Sequence, residues 1–455
     1  MRDRALRVTA ALAATGTAAS LALTWAASSS ASAMAQPSPA AMALSRQVLP
    51  ASDGWAASGT GTTGGSTADA AHVVVASNRT QLVAALGGDN TTNAANATPK
   101  IIFISGKIRG NVRDDGTPLT CADYAAPGYD LDAFLSTYDP SVWGRVLPSG
   151  PLEDARATSA KNQTERVKIY VGSNTTIIGL PGAKLTGINL MVNKVSNVIV
   201  RNLTLEDARD CFPAWDPTDG ASGNWNSLYD TASVIGSTNV WFDHDTFSDG
   251  NDHDSSQPLC FGRPYQWHDG LLDITKASDL VTVEYSVFAD HDKTMLIGST
   301  NTVGADVGKL RVTLHHNRFA NVGQRAPRVR FGQVDVYDNY YVATDEKTYT
   351  YSWGVGVYSA IYAENNVFLR SADIPLDAIV HNWGGTGITE IGTLTRIGTQ
   401  PLLPTSVVSD FNAVHDPDLG TDAGWVPTLR EGPVDPATAV PALVSANAGA
   451  GKLKI

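Results

Sequence analysis

Cysteine is scarce in this chain, and its three residues lie far apart. Cys121, Cys211 and Cys260 have none of the short spacings of structural zinc sites, so a zinc-stabilised fold is excluded. Three cysteines can form at most one bond within the chain, which excludes a dense disulfide framework. In an oxidising compartment we predict Cys211–Cys260, because both residues lie in loop-like central stretches, although the spacing leaves the other pairings open.

Positive charge is also in short supply. The 455 residues include 33 Lys and Arg against 45 Asp and Glu, which gives a net charge of -12 at pH 7. Non-specific nucleic-acid binders carry basic stripes, so we expect no nucleic-acid partner. A local basic patch can still bind an anionic ligand on an acidic protein.

Long apolar segments are absent after the N-terminus, so we expect no membrane association. The first residues combine a basic start, an Ala/Leu-rich stretch and two small-x-small sites, ASA and AMA. This is the pattern of a secretory signal peptide rather than a membrane anchor. We predict a signal peptide over residues 1–35, a flexible mature N-terminus over 36–53 and one folded domain over 54–455. The mature protein is expected to be secreted and extracellular.

What the chain does contain is glycine, with 41 residues, and many short apolar stretches that alternate with period two. Such a composition fits an all-β chain with many tight turns. Residues 77–88 (SNRTQLVAALGG) predict one short N-terminal helix, with Ser77 or Asn78 as its cap and Gly87 at its end. Residues 101–108 (IIFISGKI) predict a strand.

One pattern recurs from about residue 167 onward. Each copy starts with an apolar residue and has a bulky apolar or aromatic residue seven positions later. The starting residues are Val198, Val240, Val281, Val312, Val334 and Ile361. The residues seven positions later are Leu205, Phe247, Phe288, Phe319, Tyr341 and Phe368. The longer steps between copies indicate inserted loops.

A repeat of this length, made of strands with few helices, predicts a solenoid of stacked strands, a single-stranded parallel β-helix. A β-propeller is the weaker alternative, because it needs four strands per blade and more regular spacing. Asn317 and Asn339 occupy the same place in neighbouring repeats, and Asn366 is assigned one place beyond it in the next. A stack of amide side chains at the turns is therefore expected.

Acidic residues cluster in the segments that stacking would bring together. Asp269 and Asp273 lie four residues apart in a stretch that reads as a strand, so both should point to one face. Asp230 lies one turn earlier and Lys293 about one turn later. Carboxylate clusters of this kind suit Ca²⁺, although a solvated acidic face is an equally simple interpretation. The acidic loop at 249–254 lacks the spacing of an EF-hand and is predicted to be solvated.

Three arginines follow in QRAPRVRFGQV, residues 324–334. Taken alone, Arg328 is predicted to be a surface or structural residue and Arg330 to form a structural ion pair. His244 and His291 are predicted to be hydrogen-bonded structural residues rather than bases. Trp215 and Trp267 could stack on a sugar, but buried structural positions are the simpler expectation.

Taken together, WNSLYD, VWFDHDTFSDG, HDGLLDI, ADHDKTMLIGS and QRAPRVRFGQVDVYDNYY resemble the secreted pectate lyases of polysaccharide lyase family 1. The resemblance extends over about residues 50–455 and implies a right-handed parallel β-helix with long loops forming a cleft. It implies Ca²⁺-dependent β-elimination of polygalacturonate, which leaves 4,5-unsaturated ends. It also implies a monomer.

The resemblance carries roles to individual residues. Asp230, Asp269 and Asp273 match Ca²⁺ ligands, and Arg325 matches the catalytic base. Lys293 matches the lysine that binds a uronate carboxylate and assists catalysis, and Arg330 matches a substrate-binding arginine. Because a free arginine has a pKa of about 12.5 to 13.8, an arginine base implies an alkaline pH optimum.

Two alternatives stay open at this point. A pectin lyase would act on methyl-esterified pectin without Ca²⁺ and should lack both the carboxylate cluster and Lys293. A non-catalytic polysaccharide-binding β-helix would have no need to align Arg325 and Lys293 with the carboxylates. A hydrolase would need paired acids across the bond, which the repeats do not offer.

Overall fold

The computed structural model describes residues 37–455, which form a parallel β-helix built from three long sheets. The chain passes from a strand of sheet 1 to one of sheet 2 and then to one of sheet 3 in each turn. Strands of successive turns pair in parallel along each sheet. The predicted signal peptide lies outside the described residues.

The three sheets contain most of the strands. Sheet 1 consists of Val73–Ala76, Lys100–Ile104, Thr175–Gly179, Ser196–Arg201, Thr238–Asp243, Asp279–Glu284, Val312–His315, Gln333–Tyr337, Ala360–Glu364 and Ile388–Ile391. Sheet 2 consists of Lys107–Arg109, Lys184–Thr186, Thr204–Glu206, Thr246–Ser248, Val287–Lys293, Arg318–Gln324, Tyr340–Ala343, Val367–Arg370, Leu394–Ile397 and the antiparallel Leu403–Pro404. Sheet 3 consists of Lys168–Tyr170, Asn189–Asn193, Ala232–Ile235, Leu272–Thr275, Leu296–Ile297, Arg328–Val329, Trp353–Gly356 and Val380–Trp383.

The repeat predicted from the sequence is confirmed residue by residue. All six predicted starting residues, from Val198 to Ile361, are direct partners along sheet 1. The residues seven positions later are direct partners along sheet 2. Their rings stack in the core, with centroids 4.8 Å apart for Phe247 and Phe288 and 4.3 Å apart for Tyr341 and Phe368. Stacked aromatic pairs add stability beyond the burial of their area.

A ladder of buried polar side chains holds the corners between sheets 1 and 2. The Oδ1 of Asn339 accepts hydrogen bonds from the backbone and side-chain amides of Asn317, and the Oδ1 of Asn366 accepts the same pair from Asn339. Asn366 therefore occupies the same place as the other two, so the predicted offset of one residue was wrong. The ladder continues upstream through Ser286, whose backbone amide donates to Asn317 Oδ1.

The helices lie outside the coil. They are Pro39–Ser45, Arg79–Leu86, Cys121–Tyr124, Leu131–Thr137, Pro140–Trp143, Pro151–Val167, Val407–Asn412 and Val440–Asn447. Short 3-10 helices span Trp55–Ala57, Ala70–His72, Asn93–Ala95, Asp254–Ser256 and Leu376–Ile379. The predicted N-terminal helix is confirmed, with Asn78 as its cap and Gly87 at its end. The predicted strand at 101–108 is two strands, because the chain turns a corner at Ser105 and Gly106.

Residues 37–53 differ from the expected flexible segment. They contain a helix capped by Ser38, and Arg46 donates hydrogen bonds to the backbone carbonyls of Ser66 and Ala68. The segment also delivers Asp53, which is buried against His315. No local pattern predicts these contacts, because each partner is distant in sequence.

Two loops between sheets 2 and 3 build a wall beside the coil. Each carries a small antiparallel pair, Ala214–Asp216 with Asn224–Asn226 and Leu259–Cys260 with Arg263–Pro264. Trp215 and Trp225 pack with Phe134, Tyr138 and Tyr265 inside this wall. The wall is therefore a second small apolar core.

The disulfide joins Cys121 to Cys211, and Cys260 is free. The predicted Cys211–Cys260 bond was wrong, because the loop that carries Cys121 packs against Cys211 through Tyr124 and Phe212. The bond closes a separation of 90 residues, and a loop of that length stabilises by roughly 4 to 5 kcal/mol in the chain-entropy account. No helix within residues 37–455 has the length and apolarity needed to cross a bilayer.

We predict that Asn339→Ala lowers the free energy of unfolding by roughly 2 to 4 kcal/mol. The substitution leaves the buried amide of Asn317 without its acceptor and removes the donors to Leu314 and Asn366. Calorimetric unfolding measures the effect. Asn251→Ala is the control, since Asn251 is exposed. Equal unfolding midpoints for the two variants would show that the ladder contributes nothing.

We also predict that the denatured, non-reduced protein has one reactive thiol and that the reduced protein has three. Peptide mapping after labelling should assign the single thiol to Cys260, because Cys121 and Cys211 are bonded. A label on Cys121 instead would restore the Cys211–Cys260 pairing.

Candidate active site

Asp230, Gly270, Lys293 and Gln324 lie on successive turns and form a row where strands of sheet 2 lead into sheet 3. Gly270 pairs with Lys293, and Lys293 pairs with Gln324. Asp230 lies on the other side of Gly270 and accepts a hydrogen bond of 2.9 Å from its backbone amide. The row brings together residues that are up to 94 positions apart in sequence, as the difference between 324 and 230 gives.

Asp230 and Asp273 converge on the same small space. A Cβ atom added to Gly270 would lie 2.7 Å from Asp273 Oδ1 and 2.8 Å from Asp230 Oδ1. Backbone amides and a hydroxyl hold the two carboxylates, since Leu296 donates to Asp273 and Ser233 donates to Asp230. Only glycine leaves this space between the carboxylates open.

Asp269 faces Lys293 rather than the other two carboxylates. Lys293 Nζ lies 2.8 Å from Asp269 Oδ1 and 2.8 Å from Gln266 Oε1. Asp269 precedes the strand Leu272–Thr275, so the expectation that Asp269 and Asp273 share one strand was wrong. Among the described residues, the three carboxylates are not one of the clusters whose ligand atoms all lie within 4.8 Å of one another.

The carboxylates are short of positive charge. Burial raises the pKa of Asp273 well above its usual value, and the charges of Asp230 and Asp269 raise it further. Burial, followed by the charge of Asp269, raises the pKa of Asp230 to about 6. Burial also opposes ionisation of Asp269, but Lys293 and then Arg325 outweigh it and lower its pKa. A cation between Asp230 and Asp273 would relieve their repulsion, so the residues present fit an oxygen-liganded cation such as Ca²⁺.

Arg325 lies next to this row, directly after Gln324. Its backbone is left-handed, with φ at 60°, and its carbonyl accepts a hydrogen bond from the amide of Met295. The following Ala326–Pro327 bond is cis, and Ala326 is fully buried. The buried Nε of Arg325 has no hydrogen-bond partner among residues 37–455. The fold thus holds an arginine at the end of the row without an ion pair to any carboxylate of residues 37–455.

Arg328 and Arg330 extend the basic group along sheet 3. Burial and the charges of its two arginine neighbours lower the pKa of Arg328 to about 10. Arg330 donates to Asn301 Oδ1 and to the carbonyl of Gly298, each at 2.7 Å. The predicted ion pair of Arg330 is therefore absent within the described residues, where its partners are neutral oxygens.

A cleft of about 990 Å³ runs along these residues. Lys293, Arg325 and Arg328 line it, together with Gln266 and Gln324. Arg330 lies beside the cleft rather than in its lining. Trp215 and Trp267 do not line it either, as expected for structural positions: Trp215 is buried in the wall, and Trp267 packs under Arg209, whose Cζ lies 3.9 Å from the ring.

The lining residues that sequence reasoning missed include Gln266, Arg328 and Trp383. Arg328 was predicted to be a surface or structural residue; the strand alternation turns Val329 into the core and Arg328 outward, where it lines the cleft. No local sequence pattern marks Gln266 or Trp383 as a site residue. Only the stacking of successive turns brings Gln266 to Lys293 and Trp383 to Arg328.

In the acidic loop at 249–254, Asn251 and His253 are exposed as predicted, but Asp249 is buried and supports the site together with Asp254. His291 Nδ1 lies 2.7 Å from Asp249 Oδ1, and its Nε2 lies 2.9 Å from the carbonyl of Asp269. His268 lies against Asp254 and Asp207. His291 is thus a hydrogen-bonded structural residue, as expected, and it ties the loop to Asp269. His244 is paired with Asp243 on sheet 1, away from the cleft.

Comparison with known proteins supplies an independent line of evidence. Residues 146–396 match the pectate lyase family model. A pectate lyase of Bacillus subtilis (strain 168) is 47% identical over 91% of this chain and 95% of its own length. The structure of a thermostable pectate lyase covers 90% of this chain and 100% of its own with a TM-score of 0.88 and 46% identity. A pectate lyase bound to a hexasaccharide has a TM-score of 0.83 and 44% identity, with coverage of 90% and 100%.

We predict that Gly270→Ala weakens Ca²⁺ binding by about tenfold, which corresponds to about 1.4 kcal/mol. The new Cβ occupies the space between Asp230 and Asp273, so the carboxylates must move apart. Displacement of bound Tb³⁺ by Ca²⁺, followed by luminescence, measures the affinity.

Gly304→Ala is the matched control, because the nearest atom to a Cβ there is 3.9 Å away. If both variants bind Ca²⁺ as tightly as the unaltered protein, the cation does not lie between Asp230 and Asp273.

Proposed function

The chain belongs to the pectate lyase family, and we propose that it cleaves polygalacturonate by β-elimination with Arg325 as the base. The fold is that of the family, and members of the family are lyases.

One observation carries the proposal: Lys293 and Arg325 line the same cleft, and Lys293 pairs with Asp269, which itself does not line the cleft. Within the described residues, Arg325 has no ion pair, whereas Lys293 has a single carboxylate partner, Asp269. A substrate with a carboxylate on each sugar supplies the anion that the protein itself does not provide for Arg325. A neutral, methyl-esterified substrate does not need these basic groups.

Lys293 and Arg330 bind uronate carboxylates in this proposal. Lys293 exchanges Asp269 or Gln266 for the carboxylate of the sugar that loses its proton, and so also acts in catalysis. Arg330 exchanges Asn301 for a neighbouring carboxylate, since its present partners are neutral acceptors. Both contacts orient the sugar and neutralise its charge, which makes the C5 proton easier to remove.

Arg325, in its neutral form, takes up the C5 proton and becomes a guanidinium. The electron pair of the C5–H bond forms the C4–C5 double bond, and the bond from C4 to the glycosidic oxygen breaks. The leaving sugar oxygen takes up a proton from water, and the new end is a 4,5-unsaturated uronate. The left-handed backbone at Arg325 and the hydrogen bond that its carbonyl accepts from the Met295 amide fix the position from which its side chain extends.

Asp230, Asp269 and Asp273 would hold Ca²⁺, with Asp269 shared between the ion and Lys293. When bound, Ca²⁺ would neutralise the uronate carboxylate and stabilise the negative charge that develops beside C5. The space at Gly270 and the raised pKa values of Asp230 and Asp273 support this choice of ligands.

The protein is proposed to act outside the cell as a monomer. The signal-peptide pattern in residues 1–35 supports export, and the polysaccharide substrate is too large to enter a cell. The disulfide between Cys121 and Cys211 fits an oxidising compartment.

The test is growth of absorbance near 235 nm, expected for a conjugated unsaturated uronate, on polygalacturonate at alkaline pH. We expect the signal to require Ca²⁺ and to disappear with a chelator. Arg325→Lys should lower kcat by about 10² to 10⁴, the range for loss of a general base. Arg330→Gln should raise KM more than it lowers kcat, because it removes binding rather than proton transfer.

Arg113→Lys is the control arginine, since Arg113 forms an exposed pair with Asp123 outside the cleft. Absorbance that persists with chelator, or that is greater on methyl-esterified pectin, would favour a pectin lyase. New reducing ends without absorbance would refute elimination. Binding of polygalacturonate without either signal would leave a non-catalytic binding protein.

A further inference from the structure

A row of polar side chains crosses the outer face of sheet 1, away from the cleft. Its members are direct partners on successive strands and consist of Arg201, Asp243, Glu284, His315, Tyr337 and Glu364. The ends of the row are neutralised, because Arg201 pairs with Asp243 and Arg430 pairs with Glu364. In the middle of the row, Glu284 and His315 meet Asp53 of the N-terminal segment instead.

The middle of the row brings three buried ligand atoms together. His315 Nε2 lies 3.2 Å from Asp53 Oδ1 and 3.1 Å from Glu284 Oε2, and the ligand atoms of the three residues all lie within 4.8 Å of one another. Asp53 and His315 are 4% exposed and Glu284 is 6% exposed. Despite the short distances, His315 Nε2 makes no hydrogen bond within residues 37–455. Neither carboxylate oxygen is therefore positioned to accept a hydrogen bond from this nitrogen.

The neighbouring histidine decides which nitrogen of His315 faces the carboxylates as a ligand. Burial, followed by the charge of His315, lowers the pKa of His316 to about 4, so the His316 ring is neutral. Its Nε2 lies 2.9 Å from Asp435 Oδ2, and because a carboxylate only accepts, the single ring hydrogen is on Nε2. Its Nδ1 then accepts from His315 Nδ1, 2.9 Å away. His315 thus donates through Nδ1 and leaves Nε2 to the carboxylates.

The cluster is short of positive charge even when His315 is protonated. Burial raises the pKa of Glu284 although His315 opposes the shift. Burial opposes a charge on His315, but Asp53 and Glu284 outweigh it and raise its pKa to about 10. One imidazolium supplies a single positive charge against two carboxylates. A divalent cation on Nε2, in place of the proton, would balance both carboxylates, as burial of charge requires.

The ligand atoms and their spacing indicate the kind of cation. One imidazole nitrogen and two carboxylate oxygens suit Zn²⁺, whereas Ca²⁺ prefers a larger set of oxygen ligands. Two ligands that are each about 2.1 Å from a tetrahedral Zn²⁺ lie about 3.4 Å apart, close to the 3.2 and 3.1 Å from Nε2 to Asp53 and Glu284. The scattered cysteines exclude a thiolate zinc centre, and this cluster needs no sulfur.

Hydrogen bonds around the cluster hold two of the three side chains in place. Nδ1 of His315 donates to His316, and Glu284 Oε1 accepts a hydrogen bond of 2.7 Å from Trp241 Nε1. Outer hydrogen bonds of this kind orient the ligands of metal sites and fix the tautomer of a ligating histidine. The orientation needed for metal binding is therefore already present in the fold.

We propose that Asp53, Glu284 and His315 bind one Zn²⁺ ion, with a water molecule in the fourth position. The ion ties the N-terminal segment to the strands Asp279–Glu284 and Val312–His315 of sheet 1, because Asp53 belongs to the segment. Since all three ligands are buried, the ion enters as the protein folds. The site is structural and does not depend on the proposed function.

The test measures the zinc that each chain retains. The full chain is produced with added Zn²⁺ and passed into buffer with excess Ca²⁺, which displaces zinc from the proposed Ca²⁺ ligands. We expect about one zinc per unaltered chain and at least roughly tenfold less in Glu284→Gln and His315→Gln, since even outer-shell changes cost that much affinity. Glu364→Gln is the matched control, because Glu364 lies in the same row but pairs with Arg430.

X-ray absorption of the zinc-loaded protein should show imidazole nitrogen and oxygen ligands at about 2.0 to 2.2 Å. Glu284→Gln keeps the size of the side chain and an acceptor for Trp241, so it separates lost binding from lost folding. Zinc should raise the unfolding midpoint of the unaltered protein but not that of Glu284→Gln.

Equal zinc content in the unaltered protein and Glu284→Gln would overturn the proposal, because the metal would then be bound elsewhere. Sulfur ligands in the absorption spectrum would overturn it for the same reason. An unaltered protein that retains no zinc would overturn it as well and leave an imidazolium between Asp53 and Glu284. None of these measurements depends on cleavage of a polysaccharide.

Discussion

The parallel hydrogen-bonded register between successive turns is the constraint from which the other features follow. Each strand of sheet 1 repeats the position of the previous one, and this repetition stacks Val198 to Ile361 in one row. A shift by one residue would turn every core side chain outward. The aromatic stack on sheet 2 and the asparagine ladder oppose such a shift, since each fits only one register.

The same register places the residues of the candidate active site on the outside of the coil. Corners between sheets 1 and 2 are short, so variation in turn length is confined to the loops between sheets 2 and 3 and between sheets 3 and 1. The long loops build the wall around Trp225. Where the loops are short, Lys293 and Arg325 stay accessible in the cleft. The rigid coil thus fixes the spacing of charged groups, and the loops decide how much space a ligand has.

The site is organised by an imbalance of charge. Asp230 and Asp273 are buried close together with raised pKa values, while Arg325 and Arg328 have no carboxylate partner in the described chain. The carboxylate pair and the arginine pair are each unfavourable alone, because burial penalises an unpaired charge. A cation and a polyanion together would satisfy both pairs, which explains why substrate binding and metal binding are expected to depend on each other.

The sequence by itself determined the coil and the identity of the charged groups. Period-two apolar residues and a bulky residue seven positions later are local signals, and the predicted rows are the rows of the structure. The tertiary structure alone decided that Cys121 bonds to Cys211, that Asp269 turns to Lys293, and that Trp383 meets Arg328. These contacts join segments through loops whose paths follow from packing, and no short-range pattern encodes the path of a loop.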